Sequence, residues 1–70
     1  MQYLRVEVAE GRAYTYTWDD ILFALERDDV VVLPSNEVQA LEFTGRVIRV
    51  LDGPDKNYDG PYKAVVRKVG

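Results

Sequence analysis

The sequence predicts a mostly β fold, a small five-stranded open barrel that carries one short helix. Three observations predict it. Apolar and polar residues alternate at period two in several short segments, turn-forming residues recur roughly every ten positions, and one stretch alone has helical spacing.

The first strand is expected from Tyr3 to Val8, where Leu4, Val6 and Val8 alternate with Tyr3, Arg5 and Glu7. Glu10 and Gly11 supply a turn, and Ala13 to Thr17 then places Tyr14 and Tyr16 on one face, with Ala13, Thr15 and Thr17 on the other. The two segments read as a hairpin. The period changes next, because Trp18, Ile21, Leu22 and Leu25 are spaced as one stripe of a helix. Thr17 is its expected N-cap, Asp19 and Asp20 set negative charge at its positive end, and it should stop near Arg27.

Asp28 and Asp29 form a turn, Val30 to Leu33 reads as a buried strand, and Pro34-Ser35-Asn36 ends it. A longer strand is expected from about Leu41 to Leu51. There Phe43, Gly45 and Val47 form the apolar row before Ile48 and Val50 take it over, a switch that a β-bulge near Val47 would produce. The stretch from Asp52 to Pro61 holds too many Gly, Pro, Asp and Asn residues to be other than a loop, and Tyr62 to Val69 is the closing strand.

Length and composition bound what such a fold can do. Seventy residues make one domain spanning the chain, with a core that barely outweighs its conformational entropy. Density in aromatic and β-branched side chains, or self-association, must supply the remainder. The chain has no cysteine and no histidine, which excludes disulfides, thiolate or imidazole zinc sites and histidine acid-base chemistry. We therefore expect a binding protein, not an enzyme, with no cofactor. No apolar run is long enough for a membrane span and nothing resembles a signal peptide, so the expected location is the cytoplasm.

The net charge of -3 hides an asymmetry. Residues 1–45 carry three basic and nine acidic side chains, whereas residues 46–70 carry six basic (Arg46, Arg49, Lys56, Lys63, Arg67, Lys68) and three acidic. With Tyr58 and Tyr62 interleaved, the basic end has the make-up of a single-strand nucleic-acid surface. Lysine and arginine also serve solubility and discourage edge pairing on any exposed strand. The acidic residues Asp19, Asp20, Glu26, Asp28 and Asp29 are accounted for by a helix start and a turn, not by metal binding. Trp18, Tyr14 and Tyr16 read as core.

Four short motifs in order carry a resemblance. They are Arg12-Ala13-Tyr14-Thr15-Tyr16, then Asp29-Val30-Val31-Val32-Leu33-Pro34, Thr44-Gly45-Arg46-Val47-Ile48, and Lys63-Ala64-Val65-Val66. In this order the chain resembles the N-terminal 3′ DNA-binding domain of the primosomal replication-restart helicase PriA, as a free-standing domain. The resemblance implies a pocket for the terminal 3′ nucleotide of a DNA strand, with Tyr14, Thr15, Asn36 and Lys63 at the matching positions and Arg46, Arg49 and Arg67 as a supporting basic surface. Thr15 stands where the family has an aspartate, and Asn36 where it has a glycine. The family's helicase portion has no counterpart here. The implied roles are an accessory DNA-replication factor that binds single-stranded DNA or DNA 3′ ends, of a kind bacteriophages encode. The alternative is a protein-interaction or self-associating module that keeps the barrel without the DNA site.

Overall fold

The computed structural model describes residues 1–35, 41–54, 56 and 61–69. Six strands run in the chain order β1 (Gln2–Ala9), β2 (Arg12–Trp18), β3 (Val30–Leu33), β4 (Phe43–Leu51), β5 (Lys63–Ala64) and β6 (Arg67–Lys68). They form one sheet in the order β5-β2-β1-β4-β3-β6, curled into an open barrel.

The hairpin of β1 and β2 turns at Gly11, whose φ of 72° lies where glycine pays no Cβ penalty. Its register puts Leu4 opposite Tyr16 and Val6 opposite Tyr14 on the core side, and Tyr3, Arg5 and Glu7 opposite Thr17, Thr15 and Ala13 on the outer side. On its other edge β1 pairs with β4, with Leu4 facing Val50 and Val6 facing Val47. The register slips between Arg5 and Val6, leaving Ile48 as the extra residue of a bulge. That bulge lets Val47 and Val50, an odd and an even position, stand on the same side as Leu4 and Val6.

Glycine is required at position 45. A Cβ there would lie 2.6 Å from Val6 Cγ1, 2.9 Å from Leu33 Cδ1 and 3.0 Å from the Glu7 carbonyl oxygen. The missing side chain is what allows the neighbouring strands to close over the core.

The expected closing strand is broken into β5 and β6. Its first half pairs parallel with β2 and its second half pairs antiparallel with β3, so one short segment bridges the two edges of the sheet. The Val65 N–H donates to the Thr17 carbonyl at 2.8 Å and the Val66 N–H to the Val32 carbonyl at 2.9 Å, which satisfies both edges at the crossover. Leu4, Val6, Tyr16, Leu25, Val31, Leu33, Val47 and Val65 form the buried core, with Val8, Trp18 and Phe43 packed against it.

The expected helix does not form, and the described residues contain none. Thr17 belongs to β2 instead of capping a helix, and Ile21, Leu22 and Phe23 are 84%, 81% and 71% exposed. Only Leu25 of that run is buried with the core. The cause is competition for backbone groups by nearby side chains. Asp20 Oδ1 accepts the N–H groups of Leu22 at 3.0 Å and Phe23 at 3.3 Å. Gln2 grips Leu25 from both sides, accepting its N–H at 2.7 Å and donating to its carbonyl at 2.9 Å. Asp29 Oδ2 accepts the Glu26 N–H at 2.8 Å. A stretch this short has little helical stability of its own to set against these bonds. The chain re-enters the sheet through Asp28, which sits at a φ of 77°, a conformation aspartate tolerates better than most residues.

Candidate functional site

The alternation of β2 decides how the predicted DNA-end residues are arranged. Tyr14 lies on the core-side row with Tyr16 but at its open end, and is 51% exposed. Lys63 stands in register with Tyr16, placing it on that same side, and its Nζ lies 3.5 Å from the Ser35 carbonyl, the outer limit of a hydrogen bond. Tyr14, Tyr16 and Lys63 therefore share one side of the sheet. Burial, and secondarily the phenol of Tyr14, raises the Tyr16 phenol above its ordinary value of 10.0.

Thr15 points the other way. It is buried on the outer side opposite Arg5, whose Nη1 donates to Thr15 Oγ1 at 3.3 Å while Nη2 donates to the Ala13 carbonyl at 2.9 Å. Tyr14 and Thr15 thus do not face a ligand from the same side. Asn36 and Tyr58 lie outside the described residues.

The three supporting arginines separate as well. Arg46, opposite Glu7, is 3.7 Å from Glu7 Oε1 and 3.7 Å from Asp28 Oδ1, so two carboxylates offset its charge. Arg67 is exposed on β6, opposite Val32. Arg49 is opposite Arg5 in the centre of the sheet's outer face.

That last pairing was not evident from sequence. Like charges directly across a strand pair are unfavourable, and here two arginines occupy one cross-strand position. Arg5 and Arg49, with Lys56, line an open concavity of about 570 Å³ completed by Leu51, Asp52 and Pro54. Among the described residues, the charged groups of this lining are Arg5, Arg49, Lys56 and Asp52. Tyr3, opposite Leu51 on the same face, meets Tyr62 edge to face, with ring centroids 5.4 Å apart and planes inclined at 69°. Arg5 looks like an ordinary polar member of an alternating strand, and only the β1–β4 register reveals its neighbour.

Three of the acidic residues between β2 and β3, Asp20, Asp28 and Asp29, have structural partners. Asp20 and Asp29 accept backbone N–H groups, Asp28 faces Arg46, and Asp29 Oδ1 is 3.6 Å from Lys68 Nζ. Among the described residues no group of three or more acidic side chains is arranged to hold a metal ion, and no helix is long and apolar enough to cross a membrane. Comparisons with protein-family models, curated proteins and solved structures return no match.

Proposed function

We propose that this chain is a non-catalytic, cytoplasmic binding module that takes single-stranded DNA, including a strand's 3′ end, in a replication-related role. The observation that carries the reading is the Arg5–Arg49 cross-strand pair on the rim of a concavity shared with Lys56. A phosphodiester seated in this concavity would meet the Arg49 and Lys56 charges, and the neighbouring Tyr3 and Tyr62 offer rings against which a base can pack. Tyr14 and Lys63 provide a second point of contact, suited to a strand terminus, on the other side of the sheet. Lysine there acts as a point charge toward phosphate.

The acidic remainder of the chain opposes a polyanion, so binding should be weak, on the order of micromolar to millimolar at low salt, and should weaken as salt rises. Fluorescence anisotropy with a labelled single strand tests this. Arg49→Glu should abolish measurable binding if the outer face is the site, whereas Lys63→Ala should be the more damaging change if the strand end is held beside Tyr14. A folded protein that binds neither single strands nor recessed 3′ ends at low salt contradicts the reading. The second reading, a protein-interaction module, is favoured by the exposed apolar residues between β2 and β3.

A further inference from the structure

Ile21, Leu22 and Phe23 are consecutive, large and exposed, yet the loop that carries them is held at Leu22, Phe23 and Leu25. Asp20 Oδ1 holds the N–H groups of Leu22 and Phe23, the Trp18 indole Nε1–H donates to the Phe23 carbonyl at 2.9 Å, and Gln2 anchors Leu25 just beyond. The side chains are turned outward by a bonded framework whose base, Leu25, is part of the core. A contiguous apolar patch fixed in water is unfavourable until something covers it, and on a small soluble protein such patches mark contact sites.

The surroundings specify what covers it. Asp19, Asp20 and Glu26 are exposed and flank the apolar residues in sequence, against the single cation Arg27, while Asp28 just beyond is matched by Arg46. A phosphate-rich surface, whether nucleic acid or anionic lipid, would be repelled by this rim, while a protein pocket edged with lysine or arginine would be attracted. We propose that the 19–26 loop is a docking knob, with Leu22 and Phe23 as anchors, for a partner protein whose apolar pocket is rimmed by basic side chains. Aromatic and aliphatic anchors at the centre with charges at the edge are the usual anatomy of such a contact. The proposal does not depend on the nucleic-acid reading, because it uses a different surface.

Amide chemical shifts test it with a synthetic amphipathic helical peptide of leucine and lysine as the probe. The same peptide with glutamate for lysine, an oligolysine and phosphatidylcholine vesicles serve as comparisons. The leucine–lysine peptide should move the amides of Ile21, Leu22 and Phe23 and the Trp18 indole, and should bind at least tenfold more tightly than the leucine–glutamate peptide. Phe23→Ser and Leu22→Ser should each weaken binding at least tenfold with the melting temperature unchanged. Four results would overturn the proposal. They are equal binding of the leucine–glutamate peptide or of oligolysine, shifts confined to other residues or none at all, the same shifts produced by vesicles, and self-association in sedimentation equilibrium that Phe23→Ser abolishes, which would assign the patch to a second copy of the chain.

Discussion

β1 and the segment that follows β2 carry comparable apolar content, Leu4, Val6 and Val8 in one and Ile21, Leu22, Phe23 and Leu25 in the other, but they meet opposite fates. β1 is paired along both edges, by β2 and by β4, so its backbone is satisfied by ladders and its apolar row is pressed into the core. The 19–27 segment has its backbone groups taken by side chains, those of Asp20, Gln2 and Asp29, and most of its apolar residues face water. The difference teaches that hydrophobicity does not place a segment by itself. What satisfies the backbone fixes its direction, and the direction decides which side chains are covered.

The largest expected effect lies in β1. Leu4 is completely buried, and Leu4→Ala removes its methyl groups from a site held on both sides by neighbouring strands, a loss of about 3 kcal/mol. For a domain whose total stability is on the order of 5 kcal/mol, that leaves about 2 kcal/mol, an unfolded fraction of only a few per cent at 25 °C but a much lower urea midpoint. Urea titration followed by circular dichroism measures it, and a midpoint close to the parent's would show that the wall is not where the stability resides.

Gln2→Ala acts at the joint between the two regions. It removes both bonds to Leu25, one donated and one accepted, at a cost of about 1–2 kcal/mol. Hydrogen exchange should sharpen the comparison, because the Leu25 amide should lose protection while the Val6 and Val47 amides keep most of theirs. Equal loss throughout would mean that the loop and the wall unfold as one unit.

A smaller effect depends on pH. The Tyr16 phenol is raised by burial and by Tyr14, so the folded state holds this proton more tightly than the unfolded chain does. Its contribution to stability is complete below the ordinary value of 10.0 and is lost as pH rises through the higher folded value. Melting curves from neutral pH to about 11 should show an alkaline decline that is smaller in Tyr16→Phe. An identical decline in both proteins would place its origin elsewhere.

The strands were legible because period-two alternation follows directly from the pleat, as was the bulge, signalled by the shift of apolar positions between Val47 and Val50. The helix was misread because Trp18, Ile21, Leu22 and Leu25 satisfy its spacing while the competing bonds involve Gln2, distant in sequence, and the carboxylates of Asp20 and Asp29. Helical spacing cannot register those partners. The broken closing strand was hidden for a related reason, since nothing local to residues 63–69 says that two different strands claim its two halves. Within the candidate site, the opposite orientations of Tyr14 and Thr15 were already implied by alternation, although the family resemblance gathers both into one pocket. The Arg5–Arg49 opposition needed the register of β1 against β4, which depends on the bulge.

The most direct test of the contrast between a buried wall and a presenting loop is the thermal unfolding of Leu22→Asp. With Leu22 projecting into water, a carboxylate there should change stability by no more than about 0.5 kcal/mol and leave the melting temperature close to the parent's. A variant that fails to fold, or melts far lower, would contradict the account, because it would mean that the new charge is buried without a partner and that Leu22 packs against the sheet as a helical stripe would.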